Sequence, residues 1–330
     1  MNFKELKLEE IKGLKIGHAS NDEAKTGVTV LYFENGGVGG VDVSGGGPAS
    51  RETPLLSPIT ADNKLNAVVL SGGSAYGLAA SDGVMTAFEE AGIGFETGFA
   101  KVPLVCQSCI YDLSYGAADV RPDKAMGYEA CKKALEATDS RQGNVGAGAG
   151  ASVGKIYGMK AADKAGLGTY FCGCNQIPGF YIGAIVVVNA FGDIYDPDSH
   201  EKIAGAHNAE RTEFRSTKEG MYDDFLPRNA FTANTTIGAI VTNASFNKAQ
   251  MNKIASMARN AYARCIDPVG TMLDGDTIYA VSVESKEIES PILDINFVGS
   301  LAADVMGQAI KNAILNSKIS DEEYLSNIKA

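Results

Sequence analysis

Short apolar runs recur along the chain, and most of them are apolar at successive positions rather than at alternate ones. A strand has this composition when both of its faces are covered, as in a sheet packed between other layers. We therefore predict buried strands at Thr26–Phe33, Ala67–Leu70, Val102–Val105, Ile182–Asn189, Ile237–Asn243 and Thr277–Val283.

Between these runs, apolar residues recur with the period of an α-helix. The helical segments predicted from this period are Ala75–Ala91, Asp123–Ala137, Asn247–Cys265 and Asn296–Leu315. Strands mixed with helices indicate layered α/β packing, in which sheets are buried between helices. The chain has no internal repeat of roughly 20–50 residues, which excludes a repeat array.

Glycine is frequent, at 38 of 330 residues, and it clusters at 36–47, 72–77, 143–154 and 166–173. The glycines have no three-residue period, which excludes a collagen helix. Because glycine lacks a Cβ, it is the residue that lets one backbone segment approach another closely. The clusters therefore predict tight backbone approaches around a site.

The charge balance limits the partners that we expect. Asp and Glu number 40 against 29 Lys and Arg, for a net charge of −11, and no basic stripe is present, so we expect no nucleic-acid partner. The longest apolar run, Tyr181–Ala190, is too short to span a bilayer. The first ten residues lack the apolar core of a signal peptide. These features predict a cytoplasmic protein with no membrane partner.

The 6 cysteines are expected to be thiols in that compartment. Cys106 and Cys109, together with Cys172 and Cys174, have spacings that a four-sulfur zinc site can use. Their apolar neighbours favour the alternative, in which they are small core residues beside strands. We therefore expect no metal.

The glycine-rich segments do not match the common phosphate-binding motifs. A P-loop that ends at Gly154–Lys155 needs a glycine where Ala149 stands and a hydroxyl residue where Ile156 stands. The segment Gly146–Ala151 fits the loose dinucleotide pattern. However, no apolar strand precedes it and no acidic residue follows at the expected distance. Nucleotide binding is therefore disfavoured.

Ser74 follows an apolar strand and opens a helix, as the serine of a nucleophile elbow does, but Tyr76 replaces the second glycine of that motif. A serine triad also needs a histidine, and the chain has only His18, His200 and His207. The interpretation that we favour is a helix N-terminus at Gly73–Ser74 whose free amides bind a carboxylate or a backbone segment.

With so few histidines, a hydrolase of this sequence needs another base. One solution is a hydroxyl nucleophile that is activated by its own α-amino group, which requires cleavage of the preceding peptide bond. The segment His207–Ala233 is charged and aperiodic, so it is predicted to be an exposed, mobile and functional loop. It ends at Asn234–Thr235, where an apolar strand begins. Such a junction is also compatible with an ordinary turn.

Several co-linear segments, from about residue 10 to residue 285, match one family in order. These segments are Thr26–Val30, Gly40–Val43, Arg51–Thr53, Leu70–Leu78, Asp82–Val84, Gly146–Lys155, Val188–Asp193, Asn234–Thr236 and Asp274–Thr277. On these segments the chain resembles the DmpA-type aminopeptidases. This family of self-cleaving amidohydrolases includes L-aminopeptidase/D-amidases, β-peptidyl aminopeptidases and 6-aminohexanoate-oligomer (nylon oligomer) hydrolases.

The resemblance implies a single α/β domain over 1–330, built as a four-layer α-β-β-α sandwich of the N-terminal-nucleophile kind. It also implies cleavage between Asn234 and Thr235, which gives chains 1–234 and 235–330, with Thr235 as the nucleophile. Many members have serine at this position. The threonine and the pair Asp274 and Asp276 are most similar to the nylon-oligomer hydrolases.

Roles for the other site residues follow from the same resemblance. Asn189 matches the asparagine that stabilises the oxyanion. Lys155 lies in a matching segment and is a single cation after a glycine-rich, nearly uncharged stretch, so we predict that it orients Thr235 or holds the acids. The alternatives without a catalytic role are an asparagine that ends a strand and a solvated lysine.

Asp274 and Asp276 match the acidic pair that holds the α-amine of Thr235. A hairpin turn and a D-x-D metal site are the alternatives, and the latter lacks nearby histidine ligands. Tyr111 roughly matches a tyrosine near the substrate, although Tyr115 is close to it in sequence.

Together these features predict an amidohydrolase that uses no cofactor and acts on short peptides or linear oligoamides through an acyl-Thr235 intermediate. The glycine clusters at 72–77 and 143–154 are then expected to form walls beside the nucleophile, together with Ser74 and Gly73 as substrate contacts. Two alternatives remain open: an acyltransferase of the ornithine-acetyltransferase type, and a binding protein that is not cleaved. The resemblance also implies a homo-oligomer, with a tetramer of processed heterodimers as one arrangement.

Overall fold

The computed structural model describes residues 3–223, 234–284 and 291–328. The strands are β1 Phe3–Leu6, β2 Leu14–Asn21, β3 Thr26–Val43, β4 Ser50–Arg51, β5 Leu65–Ser71, β6 Phe95–Glu96, β7 Lys101–Val102, β8 Val105–Cys109, β9 Ser152–Val153, β10 Asp163–Lys164, β11 Leu167–Cys174, β12 Ile177–Asn189, β13 Asp193–Tyr195, β14 Lys202–Ala204, β15 Thr235–Thr242, β16 Ile266–Asp267 and β17 Thr277–Val283. The α-helices are α1 Ala80–Glu90, α2 Lys124–Glu136, α3 Thr217–Asp223, α4 Lys248–Ala258, α5 Asn260–Cys265, α6 Ile295–Leu315 and α7 Asp321–Ser326.

One large sheet carries the fold, with the strand order β1-β11-β12-β15-β17-β3-β5-β8-β4 and with β2 also paired to β3. The long strand β3 belongs to both halves of this sheet. Its first part pairs with β2 and β5, and its last part, residues 37–43, pairs with β17. The register of β3 against β5 shifts between Tyr32 and Gly37. This strand therefore joins the two halves.

The side chains of β5 show how the layers are stacked. Val68 and Leu70 belong to the large core that includes β12, β15 and β17, whereas Ala67 and Val69 pack with residues of α1 and α2. Helices α4 and α6 cover the other half of the sheet and contact β3, β11, β12 and β17. The two halves of the large sheet form the two inner layers of the fold. The order of the layers is therefore helices, sheet, sheet, helices, which confirms the predicted α-β-β-α sandwich.

Three local predictions were wrong. The predicted helix Ala75–Ala91 begins as a 3-10 helix over Ser74–Ala79, and α1 begins only at Ala80. The predicted strand Val102–Val105 is interrupted by Pro103, which has no N–H to donate to a ladder. As a result β7 ends at Val102 in a separate hairpin with β6, and β8 begins at Val105. The predicted helix 247–265 is two helices, because α4 ends at Ala258 and α5 begins at Asn260.

The segment 207–223 was predicted to be part of an exposed loop, but it is anchored. Arg211, whose side chain is only 7% exposed, forms ion pairs with Asp163 and Asp321. Thr217 starts α3 and is buried, and its Oγ1 donates a hydrogen bond of 2.7 Å to Asp193. The rest of the predicted loop, 224–233, lies outside the described residues.

All 6 cysteines are buried thiols. Burial raises the pKa of Cys106, Cys109 and Cys172 to about 12, so these side chains are packed as neutral core residues. Within residues 3–223, 234–284 and 291–328, no cluster of His, Cys, Asp and Glu has the arrangement of a metal site. In the same ranges, no helix is long and apolar enough to cross a membrane.

Candidate active site

Thr235 is the first residue of β15, near the centre of the sheet, and it is only 4% exposed. On one side β15 runs antiparallel to β12, so that Thr235 lies opposite Asn189. On the other side it runs parallel to β17, and Asn234 forms a bridge with Asp274 just before that strand. The strand ends therefore bring Asn189, Thr235 and the Asp274–Asp276 segment to one place.

The peptide bond between Asn234 and Thr235 is held by neighbours on both sides. The hydroxyl of Thr235 donates a hydrogen bond to the carbonyl oxygen of Asn234, which also accepts the N–H of Gly275 at 2.8 Å. The N–H of Asn234 donates to the carbonyl of Leu273 at 3.0 Å. A potential nucleophile thus lies directly beside a carbonyl that a backbone N–H already polarises.

Lys155 and Asn189 form a buried pair next to this peptide bond. The ammonium of Lys155 donates to Oδ1 of Asn189 at 2.7 Å and to its backbone oxygen at 3.1 Å. The N–H of Ser152 also donates to Oδ1, and Nδ2 of Asn189 donates to the carbonyl of Tyr111 at 2.9 Å. These bonds fix the orientation of the amide.

Burial lowers the pKa of Lys155 to about 7, against the opposing attraction of Asp274 and Asp112. The buried position thus disfavours the charged form of this side chain, and the two acids favour it. The solvated-lysine alternative is therefore wrong, since Lys155 is only 3% exposed.

The two acidic side chains are buried and hydrogen-bonded. Asp276 accepts the N–H of Thr236 at 2.7 Å and the N–H of Gly270 at 3.1 Å. Asp274 accepts both the N–H and the hydroxyl of Thr271. Burial raises the pKa of both carboxyls, and the charge of Asp274 raises the pKa of Asp276 further.

The proposed substrate contacts lie at a second edge of the site. Gly73 and Ser74 both have left-handed φ values, which make a tight turn after β5. Their N–H groups donate to Asp112 at 2.7 Å and to the carbonyl of Ile110 at 2.9 Å. The predicted acceptors, a carboxylate and a backbone segment, are thus present, and the protein itself supplies both of them.

The backbone oxygen of Tyr111 accepts a hydrogen bond from Nδ2 of Asn189, and the side chain of Tyr111 is half-buried. Tyr115, the alternative assignment, is only 1% exposed and stacks on Tyr324 at 5.3 Å between ring centroids. Tyr115 is thus a core residue. Tyr111, Ser74 and Gly73 as substrate contacts stay predictions.

Sequence reasoning missed two residues near the nucleophile, Gly275 and Asp112. A Cβ on Gly275 would lie 2.8 Å from Oγ1 of Thr235, so the backbone at this position passes close to the hydroxyl. The signal for Gly275 was its place between the two acids. Asp112 directly follows Tyr111, but no motif or spacing distinguished it.

Comparisons with known proteins agree with this fold. Residues 7–323 match the family described as peptidase family S58. An uncharacterized aminopeptidase of Mycobacterium leprae (strain TN) is 35% identical over 93% of this chain and 90% of its own length. A 6-aminohexanoate-oligomer endohydrolase of Kocuria sp. (strain KY2) is 32% identical over 92% of this chain and 84% of its own length.

Two solved structures share the fold at low sequence identity. The L-aminopeptidase D-Ala-esterase/amidase of Ochrobactrum anthropi, described as a variant of the Ntn hydrolase fold, has a TM-score of 0.66 at 15% identity and covers 98% of this chain and 95% of its own. A β-aminopeptidase of Burkholderia sp. has a TM-score of 0.65 at 18% identity, over 97% and 92% of the two chains.

The family match covers nearly the whole chain, and the relatives are named as aminopeptidases and oligoamide hydrolases. The predicted DmpA-type resemblance and the predicted amide-bond hydrolase are thereby confirmed. The chain belongs to peptidase family S58.

Proposed function

We propose that this protein is a self-processing amidohydrolase in which Thr235 becomes the N-terminal nucleophile. The observation that carries the proposal is the contact of the Thr235 hydroxyl with the carbonyl oxygen of Asn234, to which the N–H of Gly275 also donates. Nucleophile, target carbonyl and a donor for developing negative charge are thus adjacent before any cleavage.

In the proposed self-cleavage, Oγ1 of Thr235 attacks the carbonyl carbon of Asn234. The C–N bond breaks, and the hydroxyl proton ends on the released nitrogen, so the chain becomes an ester of the Thr235 hydroxyl. Water then hydrolyses this ester and leaves a carboxylate on Asn234. The products are chains 1–234 and 235–330.

In the proposed turnover, the α-amine of Thr235 takes the proton from its own hydroxyl, since the reference pKa of such an amine, about 7.7–8.0, is close to neutral pH. The Asp274–Asp276 pair provides the negative charge that holds this amine. The N–H of Gly275, released from Asn234, and the second hydrogen of the Asn189 amide are the donors available to a substrate oxyanion.

The substrate completes the cycle in two steps. Attack on its amide carbonyl forms acyl-Thr235, and the proton passes from the α-amine to the leaving amine. Water then releases the acid and restores the hydroxyl. The small-molecule substrate is a short peptide or a linear oligoamide, because relatives are named for both activities. The threonine nucleophile and the aspartate pair favour the oligoamide. Homo-oligomerisation and a cytoplasmic location stay predictions from the sequence.

A single substrate panel tests the proposed reaction. Wild type is compared with Thr235→Ser and Thr235→Ala on 6-aminohexanoate oligomers and on α- and β-aminoacyl p-nitroanilides. We expect hydrolysis by wild type, reduced hydrolysis by the serine variant and none by the alanine variant. Wild-type rates in Thr235→Ala would overturn the proposal. An acceptor amine in the assay distinguishes the acyltransferase alternative, since only a transferase diverts most of its acyl groups from water.

A further inference from the structure

Two of the glycine clusters converge on one buried carboxyl, that of Asp112, which is 3% exposed. A Cβ on Gly72 would lie 1.9 Å from Oδ2 of Asp112, and a Cβ on Gly150 would lie 2.7 Å from its Cβ. Neither position has space for a side chain. At Gly72 the nearest atom is this carboxyl oxygen, and at Gly150 the aspartate shares the space with the backbone oxygen of Lys25, 2.2 Å from such a Cβ.

The carboxyl of Asp112 connects three segments of the chain. Oδ1 accepts the N–H of Gly73 at 2.7 Å, and Oδ2 accepts the hydroxyl of Thr26, at the start of β3, at 2.6 Å. The third segment, at Gly150, packs against its Cβ. Each carboxyl oxygen thus has a donor from the protein, and the buried group presents no open face to a substrate.

Two segments that contact Asp112 also hold Asn189 of the Asn189–Lys155 pair. Asp112 follows Tyr111, whose carbonyl accepts Nδ2 of Asn189. Gly150 stands two residues before Ser152, whose N–H donates to Oδ1 of Asn189. A shift of Asp112 would therefore move two of the three partners that orient the Asn189 amide, the N–H of Ser152 and the carbonyl of Tyr111.

The charge of Asp112 also acts on Lys155. The charged groups that face Lys155 are Asp274 and Asp112, which favour its ammonium form, and Lys164, a second buried cation that repels it. Burial raises the pKa of Asp112, whereas Lys155 lowers it. Each charge thus offsets part of the burial cost of the other.

We infer that Asp112 is a positioning residue of the active site: its carboxylate holds the two segments that orient Asn189, and its charge, together with that of Asp274, favours the ammonium form of Lys155. The role of Asp112 in catalysis rests on the proposed function. The effect of its charge on Lys155 does not, because that effect is measured without turnover.

The test is an NMR titration of the full-length protein that carries lysine labelled with 13C at Cε, with Lys155 assigned from Lys155→Met. We expect Asp112→Asn to lower the titration midpoint of Lys155 by about one pH unit. The comparison variant is Thr26→Val, which keeps the carboxyl group but removes a hydrogen bond that lowers its pKa, so it should move the Lys155 midpoint less than Asp112→Asn does. An unchanged midpoint in Asp112→Asn overturns the inference.

A reciprocal measurement covers the case in which Asp112→Asn does not fold. Coupling between two titrating groups is mutual, so Lys155→Met must raise the midpoint of the Asp112 carboxyl by a similar amount. This is followed with 13Cγ-labelled aspartate, and the Asp112 signal is assigned from its backbone connectivities. No movement of the Asp112 midpoint contradicts the inference.

The pH dependence of hydrolysis separates positioning from a merely structural role. Asp112→Asn should move the alkaline limb of the rate profile to lower pH, since Lys155 then loses its proton at lower pH, whereas Thr26→Val should move this limb less. A wild type without hydrolysis contradicts the proposed function and leaves the NMR result to decide the inference. An active Asp112→Asn enzyme with an unmoved limb and an unmoved Lys155 midpoint contradicts the inference alone.

Discussion

Gly275 lies between the two acids of the site and contacts the peptide bond that we propose is cut. Its N–H donates to the carbonyl of Asn234, and its α-carbon is close to the hydroxyl of Thr235. A side chain here would push the hydroxyl away from the carbonyl that it attacks. Gly275 therefore supplies a hydrogen-bond donor to the carbonyl of Asn234 and, because it has no side chain, leaves room for the hydroxyl of Thr235.

Replacing Gly275 by alanine should slow self-cleavage, because the new Cβ would lie 2.8 Å from Oγ1 of Thr235. We expect a loss of about 100-fold or more, the range for a displaced oxyanion donor, measured as the half-time of processing by intact mass. Gly47→Ala is the matched control in the neighbouring loop, since its Cβ meets only the carbonyl of Asp274 at 3.9 Å. Equal half-times for both variants would refute this role.

Asp276 should make the folded protein less stable as the pH rises. Its raised pKa means that the folded state keeps a proton that the unfolded state has already released above about pH 4. The free energy of unfolding therefore falls between pH 4 and the pKa of the folded state, by about 1.4 kcal/mol for each unit by which that pKa is raised. Lys155 acts in the opposite direction, since its lowered pKa adds stability above about pH 7.

The variant Asp276→Asn isolates the carboxyl. In the uncleaved Thr235→Ala background, we expect the melting temperature to fall less between pH 4.5 and 6.5 in the Asp276→Asn variant than in the protein that keeps the aspartate. Thermal melts of the two proteins in matched buffers measure this difference. Parallel curves over that range would contradict the raised pKa.

The positions of the proposed catalytic residues followed from the family motifs, and the structure brings them to one place. Asp112 did not follow from any motif, because its meaning depends on a contact with Thr26, which is 86 residues away in the sequence. The carboxyl looks ordinary in the sequence beside Tyr111. The sequence does contain the two glycines that leave space for this carboxyl, but their clusters predict only walls of the site.

Among the secondary-structure elements, the strand β3 is longer than its apolar pattern predicts. The prediction stopped at Phe33, because the following residues include Gly36, Gly37, Gly39 and Gly40, which have low strand propensity. The strand nevertheless continues to Val43. At Gly40 the backbone of α4 is so close that a Cβ would lie 2.1 Å from the nitrogen of Asn252. Tertiary packing therefore overrides local propensity.

The strand β11 was missed for a related reason. It contains Gly168 and Gly173 and lacks the continuous apolar run on which the strand predictions depended. Helix α6 packs directly on its backbone, since a Cβ on Gly168 would lie 2.1 Å from the carbonyl of Ala309. Close helix packing, rather than side-chain burial, thus selects glycine here.

Gly168→Ala should force α6 away from the sheet and lower the free energy of unfolding by about 2 kcal/mol or more, as overpacking does. Urea denaturation in the uncleaved Thr235→Ala background measures the loss. Gly307→Ala, within α6 itself, is the control, because its nearest neighbours are side-chain atoms of Pro197 and Cys265 at 3.2 Å or more. A similar stability for the two variants would argue against backbone contact between α6 and β11.

At the scale of the whole molecule, the proposed cut falls in the middle of the sheet. Segment 235–330 contains β15 and β17, which lie between β12 and β3 of segment 1–234. Helices α4 and α6, also from the second segment, pack on strands of the first. The two products therefore share one core and should stay associated after cleavage.

The intact mass of the freshly purified protein, measured under denaturing conditions after it elutes as one peak from a native sizing column, tests self-processing most directly. Self-processing gives two species, one of about 10 kDa that starts at Thr235 and one of about 25 kDa, from a chain of 34.6 kDa. Thr235→Ala should give only the uncleaved chain. A single wild-type species of 34.6 kDa that still hydrolyses amides would contradict cleavage before Thr235 as the source of the nucleophile.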